Sequence, residues 1–216
     1  MKFNCIIDTS SYLNLNLCEF SQGTVFMFLS DIVKIQFSPE VHHEINEHQN
    51  DTIPQTKVKY KERIPDVLKR SSQIYRTRKF TFPDYERRLW GEERSREAGN
   101  KGEKQNLMVT IDLFLYQKTK ELIYIIDDEN AKRGCLNGVF DAFPVFQVWS
   151  SFDVVLYLYL DHKSFTKEMA QNAIRDIYAK TATNDDQMDP KKTQKRVREL
   201  SKYLRYIEKI SVVKNR

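Results

Sequence analysis

The chain has 216 residues, of which 40% are hydrophobic and 30% charged, and a formal net charge of +5. This length supports one full domain, alone or with appended helices, and the composition excludes a disordered chain. Six Gly and six Pro exclude a collagen-like or low-complexity one, and the mild basic excess permits a polyanionic partner without requiring it.

The first apolar run, FNCII at residues 3–7, lacks alternation and ends at Asp8. That pattern predicts a strand buried on both faces, as in a parallel sheet. The run is too short for the core of a signal peptide. Residues 32–37 (IVKIQF) predict a second strand. Ser38-Pro39 then reads as a helix start, with serine as cap and proline at the first helical position, carrying Glu40, Val41, Glu44 and Ile45.

Residues 55–101 are rich in charge with scattered aromatics. Between Lys57 and Arg94 there are twelve Lys or Arg and six Asp or Glu. The mixture of Arg76, Arg78 and Lys79 with Tyr75, Phe80 and Phe82 suits phosphate pairing and base stacking on a single strand. It suits equally a solvated helical insert with its aromatics turned inward.

Residues 103–118 predict a helix, because Leu107, Ile111 and Leu115 recur at spacing four. Residues 122–126 (LIYII) predict another buried strand, ended by Asp127-Asp128, and residues 144–149 a further one. Val154–Leu160, the longest later apolar stretch, falls far short of the roughly 20 residues of a membrane span. Ser164 is placed to cap a helix with Phe165, Met169, Ala173 and Ile177 on one face. Pro190 opens a last helix with Val197, Leu200, Leu204 and Ile207 along one side. The apolar sides of these two helices suit packing on the core or on a protein partner. Cys5, Cys18 and Cys135 form neither a C-x-x-C pair nor a zinc-spaced cluster, which fits free thiols and a cytoplasmic protein.

Strands alternating with helices predict an α/β fold with a mostly parallel central sheet. In such sheets the ligand crevice lies beyond the carboxyl ends of the strands, which is where Asp8 and Asp127 fall. Glu44 and Glu103 each begin or follow a helix start and can add a carboxylate. Clustered carboxylates are costly to hold ionised, and a hard divalent cation, Mg2+ or Mn2+, offsets that cost. An ion so held can lower the pKa of a water and stabilise charge on a leaving oxygen, the requirement of phosphodiester hydrolysis. Asp128 is an additional candidate ligand, and Ser10, Ser150 and Asp153 are candidate accessory residues. Asp153 is as readily a helix cap. Taken singly, Asp8, Glu44 and Glu103 are more simply explained by a turn, a cap or a solvated helix face, whereas the paired Asp127-Asp128 after a fully apolar strand is electrostatically awkward without a purpose.

Ile6-Ile7-Asp8-Thr9-Ser10, Ser38-Pro39-Glu40-Val41-His42-His43-Glu44-Ile45, Gly102-Glu103 and Ile125-Ile126-Asp127-Asp128-Glu129-Asn130-Ala131-Lys132-Arg133 stand in the order of the four acidic motifs of the PIN domain. The chain resembles that family, which includes bacterial toxin ribonucleases, over roughly residues 3–160. The resemblance implies an α/β/α sandwich and a magnesium- or manganese-dependent endoribonuclease, with Asp8, Glu44, Glu103 and Asp127 as catalytic metal ligands. It also implies RNA as substrate, with DNA as the less expected one, and a toxin-antitoxin or defence role as one setting. Lys132 and Arg133, directly after the fourth acidic motif, are candidates for holding a phosphate. The expected organisation is a nuclease domain over 1–160, with a basic insertion at about 54–101, and a helical extension over 161–216. The alternative is a PIN-like scaffold that binds RNA or an assembly partner without cleaving. A phosphatase with a nucleophilic aspartate is disfavoured, because Asp8 is followed by Thr9-Ser10 and not by a D-x-D pattern.

Overall fold

The computed structural model describes residues 3–53, 56–63, 75, 101–117, 119, 121–128, 146–181 and 190–214. Strands β1 (Phe3–Ile7), β4 (Val33–Gln36), β5 (Leu122–Ile125) and β6 (Phe146–Trp149) form one sheet in the order β4-β1-β5-β6. All three pairings are parallel, with Ile7 opposite Ile125 and Ile125 opposite Trp149. A two-stranded antiparallel ribbon, β2 (Glu19–Phe20) with β3 (Gly23–Thr24), stands apart from it. The helices are α1 (Thr9–Leu15), α2 (Val25–Ile32), α3 (Pro39–Glu47), the single turn α4 (Tyr60–Arg63), α5 (Lys101–Gln117), α6 (Ser151–Asp161), α7 (Lys167–Thr181) and α8 (Pro190–Lys214).

The absence of alternation in FNCII and LIYII has a direct cause. Cys5, Ile7, Ile123 and Ile125 pack on one side of the sheet with Tyr12, Phe26, Leu29, Val154 and Ile174. Ile6, Leu122, Tyr124 and Ile126 pack on the other with Leu107, Val109 and Leu113 of α5. Both faces are covered, as parallel strands require. The result is an α/β architecture compatible with three layers, α5 on one face and α1, α2, α6 and α7 on the other.

The helix starts follow local chemistry. The Ser38 hydroxyl accepts from the Val41 amide at 3.3 Å, with Pro39 in the first turn of α3. Ser150 and Asp153 form a reciprocal capping box at the start of α6. For α7 the expected cap, Ser164, is displaced by Thr166, whose hydroxyl accepts from the Met169 amide at 3.2 Å. The stripe of α8 is also adjusted: Ile207 is fully buried and Leu200 and Leu204 are partly buried, but Val197 is 49% exposed. Helices α1 and α2 and the β2–β3 ribbon fill the interval from 9 to 32, where the sequence displays no clear period.

The last three helices form one unit. Phe152 of α6 stacks on Tyr203 of α8, with ring centroids 4.7 Å apart. Lys167 and Gln171 near the start of α7 bond Glu208 near the end of α8, at 2.6 and 3.1 Å, so α7 and α8 run antiparallel. Ala170, Ala173, Ile174, Ile177 and Ile207 belong to the same core cluster as β1. No helix among the described residues is long and apolar enough to cross a membrane.

Candidate functional site

The ladder between β1 and β5 continues past the strand ends. The Asp8 amide donates to the Ile125 carbonyl at 3.0 Å, and the Ile126 amide to the Trp149 carbonyl at 2.8 Å. Asp8 and Asp127 therefore emerge side by side at the carboxyl edge of the sheet. Asp8 caps α1: one carboxylate oxygen accepts from the Ser11 amide at 2.8 Å, the other from the Ser10 hydroxyl at 2.7 Å.

Two helices bring further acids to this edge. Buried Asn106 of α5 donates to the Ile7 carbonyl and to the Tyr124 hydroxyl, both at 3.2 Å, which fixes the first turns of α5 over the end of β1. The Glu40 amide of α3 donates to the Gln105 side chain at 2.9 Å, which ties α3 to α5. Glu44 and Glu103 consequently face the same space as Asp8. Gly102 allows the close approach of the two helices, since a Cβ there would stand 3.0 and 3.1 Å from the Glu44 carboxylate oxygens. The Thr9 hydroxyl holds that carboxylate from the opposite side.

Together these groups line a cleft of about 260 Å³, which Asp8, Glu44, Glu103 and Asp128 share with the Thr9 and Ser10 hydroxyls, His48 and Lys180. Asp127 lies beneath it. One Asp127 oxygen accepts from the Ser151 amide at 2.8 Å, and the other from Asn14 at 2.6 Å and from the Ser151 hydroxyl. The adjacent Asp128 is exposed and faces the cleft. Of the expected accessory residues, Ser10 lines the cleft, whereas Ser150 and Asp153 are engaged in their capping box. Arg76, Arg78, Lys79, Lys132 and Arg133 lie outside the described residues.

The electrostatics follow from burial. Asp8 is only 5% exposed, and that burial, reinforced by neighbouring Asp127, pushes its pKa up to about 7 against the pull of the Ser10 and Ser11 bonds. Burial also raises the Glu103 carboxyl, with smaller contributions from Glu44 and Asp128. Lys180, near the end of α7, is brought down to about 8 by burial, although Asp127 and Asp8 favour its charged form. Its ammonium also sits 5.6 Å from the Tyr60 ring centre. Lys180 was not among the residues expected here, yet it carries a sequence signal. The apolar stripe of α7, Ala173 to Ile177, continues one turn further to this lysine, so a charge stands where the helix faces inward.

The four cleft acids share a wall, not a single point: among the described residues no three His, Cys, Asp or Glu side chains make a ready metal cage. The donor set nonetheless fits magnesium or manganese. All donors are hard carboxylate oxygens, Asp8 is buried at the cost of its ionisation, and the space admits an ion with its waters. Magnesium is commonly held by one or two carboxylates while keeping several waters. The chain matches no protein-family model, no curated protein and no solved structure, so the cleft itself carries the functional reading.

Proposed function

We propose that the protein is a magnesium- or manganese-dependent endoribonuclease of PIN-like architecture. The single observation behind this reading is the arrival of Asp8, Glu44, Glu103 and Asp128 in one cleft at the carboxyl edge of a parallel sheet, from four separate segments. These acids would hold the ion, with Asp127, bonded to Asn14 and Ser151, adding negative charge beside Asp8. When bound, the ion supplies an activated water and charge stabilisation at the phosphodiester. The residues of the chain do the rest. Thr9 orients Glu44, Ser10 and the Ser11 amide orient Asp8, and Lys180, the one lysine or arginine of the cleft lining among the described residues, offers its ammonium to a phosphate oxygen.

One observation favours the alternative, a scaffold that binds RNA without cutting it. Lys180 already places a cation beside the acids, in a cleft without a three-ligand cage. A cleavage assay on labelled single-stranded RNA and DNA separates the two. The nuclease reading expects internal cuts in RNA with magnesium or manganese, none with EDTA, and none from the Asp8→Asn protein. RNA that is bound but left intact with either metal favours the scaffold.

A narrower prediction concerns Gly102. Alanine is the better helix former by about 1 kcal/mol in a helix interior and less in a first turn. Its Cβ presses on the Glu44 carboxylate, the movable end of a side chain. Gly102→Ala is expected to leave the melting temperature unchanged or slightly higher while slowing RNA cleavage about tenfold, roughly 1.4 kcal/mol of barrier. Parallel melting and rate measurements check it, and an unchanged rate would remove Glu44 from the essential set.

A further inference from the structure

The basic stretch at 55–101 is not the chain's only concentration of positive charge. Residues 190–202 hold six Lys or Arg against one acid, Glu199, an excess equal to the net +5 of the whole chain. On a helix the charges sort by face. Lys191, Lys195, Arg198, Lys202, Arg205 and Lys209 recur at spacings of four and three and share one side of α8. Leu200, Leu204 and buried Ile207 occupy the opposite side, against α6 and α7. The stripe therefore faces outward along about 27 Å, at 1.5 Å per residue.

An ordinary solvated helix face mixes signs, because like charges three or four residues apart repel. Of the two acids of α8, Glu199 borders the stripe beside Lys195, Arg198 and Lys202, and Glu208 is committed to Lys167 and Gln171 of α7, so the stripe keeps six cations against one acid. Within the stripe stands Tyr206, 36% exposed, with the Lys202 and Lys209 ammoniums 5.7 and 6.0 Å from its ring centre. Regular cations around an exposed aromatic ring match a single strand of nucleic acid, whose phosphates pair with the cations and whose bases stack on the ring. An anionic membrane fits less well, because interfacial helices present a continuous apolar face, and on α8 Leu200, Leu204 and Ile207 are packed against the core, leaving of its aliphatic side chains only Val197, Val212 and Val213 exposed.

The position of α8 relative to the cleft supports the same occupant. Tyr203 stacks on Phe152 at the start of α6 and lies near Ser150, Asp153 and Asp127. The thirteen residues from Pro190 to Lys202 thus run about 20 Å beyond the start of α6, past the carboxyl edge of the sheet. Because α7 is antiparallel, with Lys167 opposite Glu208, its Lys180 in the cleft lies level with the region of Lys195.

We infer that the outward stripe of α8, Lys195, Arg198, Lys202, Arg205 and Lys209 around Tyr206, is a docking track for single-stranded RNA beside the acidic cleft. The inference rests on the nuclease reading for the choice of RNA as the polymer. It is tested on the full chain in EDTA, by fluorescence anisotropy with a labelled single-stranded RNA across a salt series. Charge reversal in the triple variant Arg198→Glu/Lys202→Glu/Arg205→Glu is expected to weaken binding at least thirtyfold at low salt and to flatten the salt dependence by about two, near 0.7 per lost phosphate contact. Tyr206→Ala is expected to cost about fivefold or more. Should the reversed protein misfold by circular dichroism, the neutral Arg198→Gln/Lys202→Gln/Arg205→Gln variant and Tyr206→Ala decide the matter.

RNA affinity within twofold of wild type in the folded variants overturns the track. So does preferential binding of vesicles containing phosphatidylserine, or of an acidic peptide. Failure of the two readings is distinguishable. RNA held through the stripe but never cut with magnesium or manganese removes the nuclease and keeps the track. RNA cut by the triple variant with an unchanged KM removes the track and keeps the nuclease.

Discussion

Replacing Asp8 by Asn is expected to stabilise the metal-free protein at pH 8 while abolishing cleavage. In the folded chain the Asp8 carboxyl titrates near 7, above its ordinary 3.8, chiefly because it is buried. The folded state thus binds this proton more tightly than the unfolded state. The resulting stability is fully present below about pH 3.8 and is lost as the pH rises through about 7. At pH 8 the ionised carboxylate costs about 2–4 kcal/mol, which asparagine does not incur. Asparagine remains a good cap and can accept from the Ser11 amide. For a chain of this size the gain corresponds to about 5–10 °C in melting temperature. Added manganese should raise the midpoint of wild type and leave that of Asp8→Asn nearly unmoved. Cleavage should fall roughly a thousandfold, about 4 kcal/mol of barrier. In wild type it should also decline on acidification, since protonated carboxylates release metal. Melting scans from pH 4 to 8, paired with RNA assays, check each part. An Asp8→Asn protein less stable than wild type at pH 8 would contradict the electrostatic account.

Asp127 and Asp128 are expected to part company. Asp127→Ala strips the acceptor from Asn14 and from both the amide and the hydroxyl of Ser151, all at least partly buried. Leaving such donors unmet costs about 1–3 kcal/mol each before relaxation or water entry. A net loss of about 3 kcal/mol is expected, read as an earlier urea midpoint with an unchanged slope. Asp128 is exposed, and Asp128→Ala should shift stability by less than about 1 kcal/mol. Its effect should instead appear in turnover, as a ten- to hundredfold loss, roughly 1.4–2.7 kcal/mol. The reverse pattern, a stable but inactive Asp127→Ala and a destabilised Asp128→Ala, would relocate the ion to the layer beneath the cleft.

This pair also shows where the sequence stops being legible. FNCII and LIYII read as strands because burial on both faces leaves an unmistakable apolar run, and Ser38-Pro39 announces α3 through its cap chemistry. The edge that gathers the acids follows from those elements. Which of two adjacent aspartates enters the cleft does not, because neighbouring residues at a strand end point in different directions and only Asn14 and Ser151, from distant segments, settle it. Helix α1 is not legible for a related reason. Its buried Ser11 and Asn14 face packed surroundings, so polarity gives no clean helical period. Lys180 is not legible as a site residue, because an apolar stripe ending in lysine looks like a helix end until α7 is placed against the cleft. Val197 shares the apolar side of α8 with Leu200 and Leu204 but is exposed, because it stands in the first turns of the helix, which run beyond the start of α6.

Carboxylates from separate segments are proposed to hold a divalent ion in this cleft. Equilibrium binding of manganese to metal-free protein at pH 8, followed by the electron paramagnetic resonance of the free ion, tests it most directly. Saturable binding of at least one ion, weakened tenfold or more by Asp8→Asn and by Glu44→Gln, is the predicted result. No saturable binding up to millimolar manganese, or binding indifferent to both substitutions, would contradict it.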